Sequence, residues 1–372
     1  VNKHRAIISL GSNLGNRLEL LQKALALVEA QSIKILALSS IYETPAWGFE
    51  STPFYNACVQ IETHLKPDTL LKTLLQIEVK LGRTRESTKG YEARPIDLDL
   101  LFYDNLVLSS DHLVLPHPSL HLRNFVLAPL VEIAPDWRHP VLDQSVSQLL
   151  AQSSDQDHFK KIPFKKWTPP IFDLFPYLVV EGNIGVGKTT LAQKIASTYN
   201  VPYIQETFAK NPYLEKFYSN PTAYALDVES FFLEDRVQQL QHFWNQNNLR
   251  AVSDYNIQKS LLFASQNLSK SDFLIYEKRF KKSKSILKKP DLMVYLHTDI
   301  ESLQAQIKKR GRPYEKHIKT AYLENIESGY QKLIALDLPY PVVSIATKNL
   351  DFESNETDFQ SILRAVFQAS FL

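Results

Sequence analysis

Asp97 and Asp99 stand two residues apart inside the apolar run Arg94-Pro95-Ile96-Asp97-Leu98-Asp99-Leu100-Leu101-Phe102. Side chains of a strand alternate between faces, so both carboxylates point the same way. Like charges on one face repel, and neither is cheap to bury without a partner. Such a pair is a donor set for a hard divalent cation, and two such ions can clamp a displacement at phosphorus. Arg83 and Arg85 follow a candidate helix, Arg94 precedes the pair, and His117 and Arg123 come soon after it. These supply cations for phosphate oxygens. An Asp-x-Asp alone fits a solvent-facing strand edge equally well; the neighbouring cations favour a site.

A second constellation binds phosphate by other means. Gly182, Asn183, Ile184, Gly185, Val186, Gly187, Lys188 and Thr189 fit GxxxxGK[ST] at each fixed position, and Thr190 follows. Apolar YLVVE precedes the loop and TLAQKIAS follows it, the strand and helix such a loop needs. Glycines let backbone N–H groups curl round phosphate oxygens, and the helix N-terminus favours negative charge. Lys188 reaches the terminal phosphates, and Thr189 offers a hydroxyl to Mg2+. The pattern points to a nucleoside triphosphate and is silent about the acceptor. Glu206 ends a candidate strand, where a carboxylate can take a proton from an acceptor hydroxyl. Asp254 ends another strand and can bind the metal, while Lys308-Lys309-Arg310-Gly311-Arg312 can close as a cationic lid.

The elements that must position these residues fall into two textures. Strands at 5–11, 33–44 and 54–63, helices at 16–31 and 67–82, and the Asp97 strand give the order β-α-β-β-α-β. That order predicts a ferredoxin-like α+β domain, an antiparallel sheet with helices on one face. From about 144 to 176 the chain turns polar, then basic and proline-bearing, and the domain junction is placed there. HFKKIPF reads as an edge strand finishing the first domain. Beyond it, strands at 177–182, 202–206, 250–254, 290–299 and 340–347 alternate with helical stretches. This predicts an α/β domain with a five-stranded, mostly parallel sheet. The expected division is 1–165, a linker at 166–174, and 175–372.

Length and composition set outer limits. A chain of 372 residues with 44% apolar and 22% charged residues can fill more than one core. With 42 basic against 40 acidic residues, charge gives no warrant for a nucleic-acid or membrane-surface partner. The amino end shows no secretion signal and no run is long enough for a spanning helix, so a cytoplasmic setting is expected. The single cysteine, Cys58, lies in an apolar run and reads as a buried hydrophobe in a reducing compartment.

Residues 5–143 resemble 6-hydroxymethyl-7,8-dihydropterin pyrophosphokinase, through SLGSNLGNR, SSIYETPAWG, FYNACVQIET, IEVKLGRTR, RPIDLDLLFYDN and LPHPSLHLRNFVLAPLVEIAPDW. The resemblance implies transfer of diphosphate from ATP to a pterin alcohol in folate biosynthesis. Asp97 and Asp99 would bind two Mg2+; Glu78, Arg83, Arg85, Arg94, His117 and Arg123 would hold the triphosphate or adenine, with Arg83 and Arg94 catalytic. The pterin would stack between Phe54 and Phe125, its edge read by Asn56 and by the backbone at Thr44 and Pro45. Residues 83–95 would form a catalytic loop.

Residues 175–372 look like the deoxynucleoside kinases, especially bacterial deoxyadenosine/deoxyguanosine kinases, through EGNIGVGKTT, NPYLEKFY, ESFFLEDRVQQL, SDYNIQKSLLFA and KKRGRPYE. This implies ATP-dependent phosphorylation of a purine deoxynucleoside at its 5′-hydroxyl. Glu206 would be the base, Asp254 and Thr189 the partners of one Mg2+, and Arg310 and Arg312 lid residues that stabilise the phosphoryl group in transfer. Glu229 and Arg236 would face the nucleobase. Many relatives carry Asp/Glu-Arg-Ser where this chain has Asp254-Tyr255-Asn256; Tyr255 is expected to hold the ribose end, with Lys259 one helical turn further on. A homodimer through this domain is expected by analogy. Two alternatives stay open for it: a nucleotide-binding assembly module without turnover, and a P-loop kinase of another small molecule.

Overall fold

The computed structural model describes residues 2–84, 92–154, 159–162, 167–312, 315 and 318–371. Strand β1 (His4–Ser12) is buried from its third residue onward, as a central strand must be. Helix α1 (Arg17–Glu29) follows, its N-terminus capped by the Asn16 side chain accepting the Glu19 N–H. Then come β2 (Lys34–Leu38), β3 (Ile41–Thr44), β4 (Phe54–Thr63), the proline-opened helix α2 (Pro67–Lys80) and β5 (Asp97–Tyr103). Helices α3 (Asn124–Ile133) and α4 (Val146–Gln152) and edge strand β6 (Lys160–Ile162) complete this part.

All pairings are antiparallel, in the order β6-β3-β4-β1-β5 with β2 also on β4. The expected strand at 33–44 is therefore two strands. Between them the Ser39 hydroxyl accepts the Cys58 N–H, and Glu132 accepts the Ser40 N–H, so side chains satisfy groups a continuous ladder would have used. The expectation of helices on one face also changes. Leu21, Leu25, Leu70 and Leu74 of α1 and α2 pack on Ile8, Leu10, Leu98 and Leu100. On the opposite face Ile7, Cys58, Leu101 and Phe102 receive α3 and α4. Each fully buried Leu or Phe contributes about 1.5–3 kcal/mol. Cys58 is buried, with burial pushing its thiol far above the usual range.

The second part is built on β7 (Tyr177–Gly182), α5 (Lys188–Tyr199), β8 (Tyr203–Ile204), α6 (Pro221–Asn245), β9 (Ala251–Ser253), α7 (Gln258–Asn267), β10 (Leu292–His297), α8 (Ile300–Arg310), α9 (Thr320–Ile334) and β11 (Val342–Ala346). Its sheet runs β8-β9-β7-β10-β11, parallel throughout. Each residue of β7 is buried, which fits a parallel strand covered on both faces. Glu206 and Asp254 lie just beyond β8 and β9 rather than inside them, at the carboxyl edge where such sheets bind ligands.

By contacts the chain divides into Val1–Pro169 with Gln360–Leu372, and Pro170–Phe359. The final thirteen residues thus group with the first unit, where Arg364 pairs with Glu29 and Phe371 packs on the core. Among the described residues no helix is long and apolar enough to cross a membrane.

Candidate active sites

In the first unit, register assembles the site. Gly11 of β1 lies opposite Asn56 on one side and Asp97 on the other, and Ser9 lies between Cys58 and Asp99. A Cβ on Gly11 would come within 3.1 Å of Asn56 Oδ1 and 3.8 Å of Asp97 Cβ, so glycine keeps this row open. Asp97 and Asp99 share the wall of a recess with Thr44, Pro45, Phe54, Asn56, Arg94, Arg123 and Phe125. The Asn56 amide donates to Thr44 Oγ1 at 2.8 Å, which orients both groups.

Asp97 is engaged by Arg94 at 2.7 Å and by Arg83. Burial and then the neighbouring Asp97 charge push the Asp99 carboxyl up to about 7, against the pull of Arg94 and Arg123. The two carboxylates present hard oxygens on one wall of the recess, a set that fits Mg2+, which retains waters and phosphate ligands beside a few carboxylates. Among the described residues no group of three or more His, Cys, Asp or Glu could hold a metal by protein ligands alone.

His117 lies close enough for Arg123 and Asp97 to affect it; burial first, then Arg123, hold its imidazole down at about 4, so it is neutral at pH 7. Glu78 is placed differently from expectation. It is buried, accepts from Arg83 at 2.6 Å and from the Leu98 N–H at 2.8 Å, and does not line the recess. Its carboxyl group holds Arg83 and the strand that carries Asp97. Arg85, and with it part of the 83–95 loop, lies outside the described residues.

Sequence reading passed over Trp47 and Phe49, which also line the recess. Arg123 sits 4.8 Å from the Trp47 ring and 5.7 Å from that of Phe125, while Phe49 meets Phe54 edge-on at 6.3 Å. The one signal was the aromatic residue two places after Thr44-Pro45. Flat aromatic walls beside polar groups suit a flat polar heterocycle.

In the second unit the glycine loop leaves β7 and enters α5. Gly182 has φ +146, and a Cβ there would lie 2.2 Å from Leu296 O; Gly187 has φ +100 and faces Phe352 at 2.8 Å. Only glycine serves at either place. Lys188 Nζ donates to Gly182 O at 2.9 Å and Asn183 O at 2.8 Å, folding back over its own loop. Burial, then Lys259, lower its pKa to about 8. The Asn183 side chain accepts from the Ile184 N–H.

Asp254 ties the loop to the acceptor side. Its Oδ2 accepts from Thr189 Oγ1 at 2.6 Å and Tyr203 at 2.7 Å, and its Oδ1 accepts the Glu206 N–H at 2.8 Å. A hydroxyl and a carboxylate in contact at the head of α5 fit one hard cation beside bound phosphates. Glu206 accepts from Arg236 Nε at 3.0 Å and from Lys259 Nζ at 2.6 Å. Burial pushes its carboxyl up, but Lys259 and Arg236 outweigh that and hold it at about 2.

The recess beside Glu206 is lined by Lys188, Thr189, Glu229, Asp254, Arg310 and Arg312, with Phe208, Phe217, Phe232 and Phe263 as apolar walls. Glu229 Oε1 accepts from Asn267 at 2.7 Å; its buried Oε2 has no partner among the described residues. Arg310 and Arg312 both bind Glu315. Arg236 is buried against Glu206 and Ser260 and does not line the recess. Tyr255 is also placed differently from expectation. It is fully buried, donates to Gln239 at 2.9 Å, and packs on Tyr177 and Met293, so it holds the core rather than a ribose. A further recess lies across the glycine loop, lined by Gly187, Thr190, Ser302, Lys348, Asp351 and Phe352. Its Lys348, Asp351 and Phe352 belong to no motif of the sequence.

The family model for 7,8-dihydro-6-hydroxymethylpterin-pyrophosphokinase matches residues 7–135, and that for deoxynucleoside kinase matches 178–371. The chain is 46% identical over 136 residues to a 2-amino-4-hydroxy-6-hydroxymethyldihydropteridine pyrophosphokinase of Porphyromonas gingivalis, covering 36% of this chain and 92% of that one. It is 36% identical over 195 residues to a deoxyguanosine kinase of Bacillus subtilis, covering 50% of this chain and 94% of that one. A solved deoxyadenosine kinase from M. mycoides superposes with TM-score 0.42 at 22% identity, over 45% of this chain and 89% of that one. One chain therefore carries an enzyme of each of two families: its amino-terminal part belongs to the hydroxymethyldihydropterin pyrophosphokinases and its carboxy-terminal part to the deoxynucleoside kinases.

Proposed function

We propose that the first unit, a ferredoxin-like α+β fold, transfers diphosphate from ATP to 6-hydroxymethyl-7,8-dihydropterin and releases AMP. The observation that carries this reading is the shared recess of Asp97 and Asp99 with the aromatic residues Trp47, Phe54 and Phe125. Asp97 and Asp99 would hold two Mg2+, which neutralise phosphate charge and polarise the reacting oxygens. Arg83, Arg94 and Arg123 gather triphosphate oxygens. Phe54 and Phe125 flank the pterin, and Asn56, fixed by Thr44, reads its edge together with the Thr44 and Pro45 backbone. Neutral His117 is suited to accept or donate a hydrogen bond at the ATP end.

The second unit, in this reading, moves the γ-phosphoryl group of ATP to the 5′-hydroxyl of a purine deoxynucleoside and releases ADP. Residues 182–190 cradle the phosphates, and Thr189 and Asp254 would hold one Mg2+. Glu206 accepts the hydroxyl proton, and Arg310 and Arg312 leave Glu315 to meet the phosphoryl group. Glu229 faces the nucleobase between aromatic walls, while Arg236 orients Glu206. The recess at Thr190 and Phe352 takes the adenine of ATP. Positioning and charge neutralisation supply most of the rate in both reactions.

A cytoplasmic setting and a homodimer through the second unit belong to the same reading. The lone buried thiol supports the first, and the exposed, adjacent Leu274 and Ile275 support the second. The test is product analysis with ATP and Mg2+, offering the pterin alcohol and each of the four deoxynucleosides separately. AMP with the pterin and ADP with purine deoxynucleosides are expected. ATP binding with no deoxynucleoside turnover would instead favour an assembly module, and turnover of other alcohols a different kinase.

A further inference from the structure

We propose that Lys259 is a catalytic residue of the second site, moving its ammonium from Glu206 to the phosphoryl group during transfer. This rests on the kinase reading of that site. Lys259 lies at the second position of α7, is buried, and still lines the recess with Lys188, Thr189 and Asp254. A buried ammonium needs a partner of opposite charge. Its partner is Glu206 Oε2 at 2.6 Å, yet Glu206 Oε1 already accepts two N–H groups of Arg236. Arg236 is further fixed by donating to Ser260 at 2.6 Å. One carboxylate therefore carries two buried cations. Arg236 alone would orient it, so Lys259 brings positive charge beyond what Glu206 requires.

The other cations of the recess have different holders. Lys188 rests on its own loop carbonyls, and Arg310 and Arg312 rest on Glu315. Lys259 alone among these four lies on the carboxylate that must accept the hydroxyl proton. In the transfer the 5′-oxygen bonds to the γ-phosphorus and the bond to the β,γ-bridging oxygen breaks. ADP leaves with that electron pair, and the hydroxyl proton passes to Glu206. While Lys259 sits on Oε2 it competes with the hydroxyl for that oxygen. An arriving γ-phosphate, with more negative charge than one carboxylate, draws the ammonium away. The same movement frees Oε2 and puts a cation where charge develops. A three-donor ammonium on a flexible stem suits such a hand-over.

The test uses the full chain with Lys259→Met and Lys259→Arg, measuring kcat for ADP formation and equilibrium binding of the deoxynucleoside without ATP. Pterin turnover by the same preparations checks that the protein is intact, and circular dichroism checks the second unit. The Met variant is expected to lose about 100-fold or more in kcat with deoxynucleoside affinity held within about threefold, and the Arg variant to recover at least about tenfold of that loss. If the Met variant unfolds the second unit, Lys259→Gln takes its place under the same criteria. Unchanged kcat in the folded variant, or lost deoxynucleoside binding with no recovery by arginine, overturns the role. A wild type that phosphorylates no deoxynucleoside removes the kinase reading itself, which is a separate failure.

Discussion

Glu78 holds Arg83 at 2.6 Å and, with the same Oε1 atom, accepts the Leu98 N–H at 2.8 Å, so one buried carboxylate joins helix α2 to the strand that carries Asp97 and Asp99. Arg83 in turn reaches Asp97. Replacing Glu78 by Gln removes the charge that anchors Arg83 while keeping the shape. Diphosphate transfer is expected to fall about 10- to 100-fold, chiefly in kcat, with a stability loss of about 1–3 kcal/mol in the first unit. Steady-state kinetics and urea unfolding check both; an unaltered kcat would mean that Glu78 serves stability alone.

The glycine loop offers a test confined to the second unit. Gly182→Ala would drive a methyl group against Leu296 O, a backbone atom that cannot step aside, at a φ that side chains rarely adopt. A loss of about 3 kcal/mol is expected, together with loss of deoxynucleoside phosphorylation. Pterin turnover should persist, since none of the residues lining its recess is involved. Both product assays on one preparation decide the matter, and a fully active kinase would show that the loop adopts another shape.

Glu229 sets a pH dependence. Burial pushes its carboxyl up to about 7 against the Asn267 hydrogen bond and the charges of Arg236 and Lys259, with Glu206 adding to the rise. The phenols of Tyr276 and Tyr322 lie near it and keep their protons, their pKa values raised by burial. An ionised carboxylate accepts the N1–H and N2–H of guanine. A protonated one can donate to adenine N1 while accepting from its amino group. Above about 7 the acid is ionised in the folded protein and below it protonated, so preference for deoxyguanosine over deoxyadenosine should grow as pH rises from 6 to 8. A change of about tenfold in the ratio of kcat/KM values is expected, and Glu229→Gln should flatten it. A flat ratio in the wild type would remove Glu229 from nucleobase selection.

The two phosphate-handling motifs were legible because each is local. Asp97 and Asp99 need only the alternation of a strand, and the loop at 182–189 needs only a strand before it and a helix after it. The antiparallel and parallel sheets also followed from element order. What sequence could not supply was juxtaposition. Trp47 and Arg123 come from distant segments, and nothing in either predicts that one covers the other. Glu206 was visible at a strand end, but its two buried cations arrive from α6 and α7. Tyr255 misled because adjacency to Asp254 implied a place in the site, whereas its side chain turns into the core. The strand at 33–44 broke where distant side chains take the Ser40 N–H and the Ser39 carbonyl, Glu132 accepting from the first and Trp167 donating to the second.

The most direct measurement follows AMP and ADP separately in the wild type, in Asp97→Ala and in Glu206→Gln, with the pterin alcohol or a deoxynucleoside as sole acceptor. The wild type should release AMP with the pterin and ADP with the deoxynucleoside. Asp97→Ala should lose the AMP reaction by about a thousandfold and keep the ADP reaction; Glu206→Gln should do the reverse with a loss of about 100-fold or more. Full pterin turnover by Asp97→Ala, or loss of both reactions in either variant, would contradict two separate sites with these residues at their centres.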